Sequence, residues 1–169
     1  ELAAIAAGHP RIFSVIWATA ESDPEGVMER WLDAHAYKAS DVWFGNVRLT
    51  LHETPSSMPR GRETHAIFGD IIALESYALS EAGVRPGTAA PVSLVWRRSG
   101  VVADEYALFV QVLDERSNIV GQRDAALSER RSVAEWLPDE EIDDKQAVPI
   151  MLGTPPGAYA VVAGLYSLT

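Results

Sequence analysis

The stretch from Asp124 to Asp144 concentrates the groups in this chain best suited to meet a ligand. It carries Arg130 and Arg131, then Trp136, then the acidic run Asp139-Glu140-Glu141-Ile142-Asp143-Asp144. An indole face stacks on the apolar side of a sugar ring, and neighbouring carboxylates and guanidinium groups bind its hydroxyls. On that chemistry Trp136 is the candidate stacking face, with Arg131, Asp139 and Asp143 as candidate hydroxyl partners. Arg123 and Asp124, just ahead of the loop, complete the candidate set. Asp124 is suited to accept backbone amides of the loop, and Arg123 to pair with the acidic run. A competing structural reading folds Trp136 back as a plug over one end of the fold, and the plug is the role we expect.

Other chemistries find less support. Several carboxylates on one loop suit calcium, but the EF-hand pattern with its central glycine is missing, so the run reads as a solvated loop. The four histidines, His9, His35, His52 and His65, show no H-x-H or H-E-x-x-H spacing. The absence of cysteine removes disulfides, thiolate zinc sites and cysteine nucleophiles together. There is no G-x-S-x-G elbow and no glycine-rich phosphate loop. We therefore assign no catalytic residue, no metal and no cofactor, and expect the isolated chain to be no enzyme.

The elements that must carry the loop are mostly strands. Tyr106–Leu113 is apolar on both faces, Asp114-Glu115-Arg116-Ser117-Asn118 is a cluster of turn formers, and Ile119 restarts the apolar run; the whole reads as a central hairpin. Val92, Leu94 and Trp96 alternate with Ser93, Val95 and Arg97, a strand with one wet face. Arg85-Pro86-Gly87 and Pro155-Pro156-Gly157 look like type II turns. Gln146–Leu152 reads as a strand that Pro149 confines to an edge. In the final strand, Tyr159, Val161, Ala163 and Leu165 share a face.

Earlier in the chain, Arg11–Ala18 is a β-branched and aromatic run suited to a buried strand. Ser22-Asp23-Pro24-Glu25 marks a helix start, with Asp23 as cap and Pro24 in the first helical position. Val27, Met28, Trp31, Leu32 and His35 follow at helical spacing, and Val42–Leu51 reads as one second strand. The Pro- and Ser-rich stretch after Glu53 suggests a linker. The expected architecture is mainly β: a strand–helix–strand α/β unit (1–55), a linker (56–64) and an antiparallel two-sheet β-sandwich (65–169), immunoglobulin-like or jelly-roll.

Charge and hydropathy bound the partners. A net charge of −10 over 169 residues argues against nucleic acid, whose phosphates need clustered Lys and Arg. No apolar run reaches the ~18 residues that cross a bilayer. The chain opens on Glu rather than Met, which suggests an excised or processed piece with room for a membrane part upstream.

Two regions resemble a family. Arg11–Asp33 (RIFSVIWATAESDPEGVMERWLD), with the later strings FVQVLDERSNIVGQRD, EWLPDEEIDD and PPGAYAVVAGLY, is similar to the extracytoplasmic C-terminal region of bacterial multispanning glycosyltransferase-like proteins. These are of the protein-mannosyltransferase and aminoarabinose-transferase type. The resemblance implies a soluble accessory module on the outer face of a bacterial membrane, following the transmembrane region of the same polypeptide. A glycan or lipid-linked sugar is the implied ligand. The catalytic acids of such enzymes lie between membrane helices, so no residue here inherits a catalytic role. The alternative is a structural or protein-interaction module with no carbohydrate ligand.

Overall fold

The computed structural model describes residues 1–58, 60–80, 82–101, 105–127 and 131–168. The chain opens with α1 (Leu2–Gly8), β1 (Arg11–Ile16), the single turn α2 (Thr19–Ser22) and α3 (Val27–His35). Strands follow: β2 (Tyr37–Phe44), β3 (Val47–Glu53), β4 (Arg62–Phe68), β5 (Ile72–Leu79) and β6 (Ala89–Arg98). After them come β7 (Tyr106–Leu113), β8 (Ile119–Ala126), a 3-10 turn (Val133–Glu135), β9 (Glu141–Pro149) and β10 (Ala160–Ser167). The protein is mainly β. Its strands form a seven-stranded sheet, ordered β1-β3-β2-β9-β6-β5-β4, and a three-stranded sheet, β10-β7-β8.

The two sheets share one core. Ile72, Leu74, Val92, Leu94, Trp96 and Val148 from the large sheet pack against Leu108, Val110 and Val112 of β7. The hairpin of β7 and β8 forms as its turn residues predict, with Asp114 accepting the backbone N–H groups of Arg116 and Asn118 at 2.8 Å each. Phe109 departs from the core: its ring lies on the outer side of β7, over Gly164, and stacks on Tyr166 at 6.5 Å.

Side chains directly opposite one another in a sheet lie on the same face. Ile12, His52, Lys38, Gln146, Val92 and Leu79 form one such row across six strands. At one end of the row Ile12 packs under Leu32 and Ala36, at and just beyond the end of α3; at the other, Val92 packs under the small sheet. One face of the large sheet is thus covered twice, by a helix and by a second sheet. His52, Lys38 and Gln146 fall at the seam between the two covers.

Several local expectations need correction. Val42–Leu51 is not one strand: Gly45, at φ 63°, and Asn46 turn the chain between β2 and β3. β3 lies between β1 and β2 and is antiparallel to both, so the strand–helix–strand unit is a split βαβ. Asp23 does cap α3, accepting from the N–H of Val27 at 2.8 Å and Met28 at 2.9 Å, but Gly26 occupies the N-cap position and Pro24 lies in the preceding turn. β9 is not an edge. It pairs with β6 from Glu141 to Pro149 and touches β2 at Lys38–Gln146, and Pro149 merely ends it. The turn at Arg85–Thr88 has the expected type II form, with Gly87 at φ 80° and Thr88 N–H bonded to the Arg85 carbonyl. Near the C terminus it is Gly153, at φ 83°, rather than Gly157 that takes the left-handed conformation. Within 56–64, β4 already begins at Arg62, and the large sheet draws strands from both sides of that stretch.

Candidate binding surfaces

The six residues singled out from the sequence do not converge. Trp136 is 1% exposed and packs in the shared core with Val133 and Leu127. Its Nε1 donates to the Arg131 carbonyl at 3.4 Å, and Ser132 caps the 3-10 turn that carries it inward. A ring so enclosed offers no face to a sugar. Arg123 points into the core from β8, donating from Nε to the Gln146 side chain and from Nη1 to the Ala39 carbonyl at 3.2 Å. Asp124, its neighbour, therefore lies on the opposite face, where it accepts from Gln122 and from the Tyr166 hydroxyl at 3.5 Å. Asp139 is exposed at φ 61° and pairs with Arg97 at 3.3 Å. Arg130 falls outside the described residues.

Arg131 and Asp143 do share a cavity. The N-terminal half of β9 pairs with β6 on one side, and on the other the end of α3 comes down beside it. The Lys145 ammonium donates to the Ala34 carbonyl there. The gap is a cleft of about 480 Å³ lined by Arg131, Asp143, Asp33, Lys38 and Asp144 among others. The acidic run is thus not a solvated loop: from Glu141 it is strand, with Ile142 and Asp144 turned inward and Glu141 and Asp143 outward. Asp144 is buried and accepts from the Gln146 amide. A buried carboxylate is tolerable where hydrogen bonds compensate it.

The charges along this seam are engaged with one another. Lys38 sits 3.3 Å from Asp33 and 4.0 Å from Asp41. Arg48 binds Asp41 through two nitrogens and Glu29 at 2.6 Å. Arg131 binds Glu140 at 2.6 Å, and this bond holds the Glu140 carboxyl below its ordinary range. A second cavity, of about 420 Å³, shares Asp33 and Lys38 and reaches Thr50 and His52 under α3. Among the described residues no three His, Cys, Asp or Glu side chains are grouped to hold a metal ion. Such a network orients and bridges elements; it leaves few free groups to grip a ligand.

The opposite face of the same sheet is of another kind. On β1, β3 and β2 it presents the rows Val15–Leu49–Val42 and Phe13–Leu51–Ser40, followed by the pair Phe44–Val47. Phe13 is 63%, Val15 70%, Phe44 62% and Val42 44% exposed. Further along this face, Met58 and Leu51 pack on Tyr37, Ala39, Ala89 and Ala147, and that cover stops short of the first row. On β5 and β6 the same side is polar, with Arg97 bound to Glu75, which also holds His65 at 3.0 Å. Sequence reasoning missed this surface because the alternating apolar positions of RIFSVI were all assigned to burial. A strand apolar on both sides is either covered twice or awaiting a cover.

No family model, curated protein or solved structure matches the chain. Among the described residues no helix is long and apolar enough to cross a membrane.

Proposed function

We propose that this chain is a non-catalytic accessory module that works by contact, through the apolar face of β1, β3 and β2, on an apolar protein surface. The observation that carries the reading is the exposure of Phe13, Val15, Val42 and Phe44 on one side of one sheet. Exposed apolar patches rimmed by polar groups mark sites of association, and the charged seam on the other side is occupied with itself. Following the family resemblance, we read the chain as the outer-face soluble segment of a bacterial membrane glycosyltransferase-like protein, lying beside the transmembrane part of the same polypeptide. We read the two sheets as a β-sandwich, antiparallel except where β9 meets β2 in parallel at Lys38–Gln146 and the larger sheet runs on into β2, β3 and β1. A glycan contact would be left with Arg131 and Asp143 beside the cleft and without Trp136, so we adopt the protein-interaction alternative over sugar binding.

The test is to replace Phe13 and Phe44 by Ser in the protein as its source cell makes it. The assembly carrying the chain is then sized by native electrophoresis, and the purified variant is melted. A smaller assembly with unchanged melting temperature is expected. An assembly of unchanged size overturns the reading, as does strong binding on a glycan array that Arg131→Ala abolishes.

A further inference from the structure

We infer that the partner on the β1–β3–β2 face is a second copy of the same chain, packed face to face about a two-fold axis. The inference rests on the contact-module reading and names its partner.

Charge is the first argument. At a net charge of −10, two copies brought together at random set acid against acid. Self-contact needs a surface without ionisable groups. The rows Val15–Leu49–Val42 and Phe13–Leu51–Ser40 are such a surface, bounded on the same face by Arg11 and Glu53 in the next row and by Glu75, Arg97 and Asp143 on the adjoining strands. A basic partner would instead be met by exposed acids.

Area is the second. At ~200 Å² per aromatic side chain, Phe13 and Phe44 together show roughly 250 Å², and the aliphatic rows between them bring the apolar patch to roughly 400–500 Å². With its polar rim, such a patch approaches the ~800 Å² per partner of a standard interface.

Symmetry is the third. Phe13 on β1 and Phe44 on β2 stand at opposite corners of the patch with Leu49 between them. A two-fold axis lying between the apposed sheets and passing by Leu49 lays Phe13 of each copy against Phe44 of the other. The contact is then self-complementary, as an isologous interface requires, and the strands of the two copies cross steeply, as in orthogonal sheet packing.

Because the chain has no cysteine, a single introduced thiol reports the geometry cleanly. Sedimentation equilibrium of the purified chain up to ~1 mM should give twice the monomer mass. Phe44→Ser should weaken pairing by at least about tenfold with the melting temperature kept. Leu49→Cys should form an intermolecular disulfide on mild oxidation, and Asp143→Cys should not. A mass that stays monomeric at every concentration overturns the second copy, as does a dimer indifferent to Phe44→Ser. So does flotation of the monomer with phosphatidylcholine vesicles in place of pairing, which would make the occupant a lipid surface. If the chain is monomeric but the Phe13/Phe44 double change still shrinks the native assembly, the partner is foreign and the contact-module reading stands. If neither changes, both fail.

Discussion

Arg123 on β8 donates to the side chain of Gln146 on β9, and so ties the three-stranded sheet to the seven-stranded one from inside the core. The same guanidinium reaches the Ala39 carbonyl of β2, so one side chain spans three strands in two sheets. Arg123→Ala strands two buried acceptors, and we expect a loss of about 2–4 kcal/mol in urea unfolding. Arg123→Lys should restore only part, since an ammonium lacks the planar fork.

Trp96 and Phe109 separate the core from its outer skin. Trp96 is 0% exposed, and Trp96→Ala should cost about 3–5 kcal/mol. Phe109 sits outside, over Gly164, and Phe109→Ala should cost only about 1–2 kcal/mol. Equal losses in a denaturation series would contradict this layering.

Gly121 marks the junction where β8 meets the end of β9. A Cβ there would lie 2.7 Å from the Pro149 carbonyl oxygen. That is backbone and cannot swing aside. Gly121→Ala should destabilise by about 1–3 kcal/mol and speed hydrogen exchange at Met151, whose N–H bonds the Val120 carbonyl at 2.8 Å. Unchanged exchange at Met151 would argue against a rigid junction.

Two carboxylates give stability opposite slopes with pH. The Arg48 hydrogen bond holds Asp41 below the ordinary carboxylate range. Its contribution is present above the unfolded pKa of about 3.9 and is lost as pH falls through the lower folded value. Asp41→Asn should therefore flatten the acid limb of a stability curve. Glu53 is raised by burial, against the opposing pull of the Ala89 N–H and Arg11. Its contribution is present below the unfolded pKa of about 4.3 and is lost as pH rises through the folded value. Glu53→Gln removes that penalty while keeping an acceptor for Ala89, so it should melt at or above the wild-type temperature at neutral pH. A clear loss there would contradict the sign.

Much of the strand framework was legible because its signals are local. The β7–β8 hairpin, the alternation of β6 and the turn at Gly87 each follow from neighbouring residues. What failed was anything set by a distant partner. Asp144 looked solvated because its burial is set by β6, which places it opposite the buried Leu94 on the core face. Trp136, whose polar neighbours also offered a binding role, folds back as the expected plug, held in the core beside the 3-10 turn that Ser132 caps. The Gly45-Asn46 turn did carry a hairpin signal, masked by the apolar residues on either side. The bare face of β1 was invisible for a simpler reason: apolarity announces a need for cover and says nothing of whether the same chain supplies it.

The most direct test of contact through the β1–β3–β2 face is photo-cross-linking from Phe44. Benzoylphenylalanine at position 44 of the intact protein, irradiated in its source cell, should yield a discrete protein–protein adduct. The same probe at Asp143, exposed on the polar side of β9, should yield none. Adducts of equal yield from both positions, or no protein adduct from position 44, would contradict the account.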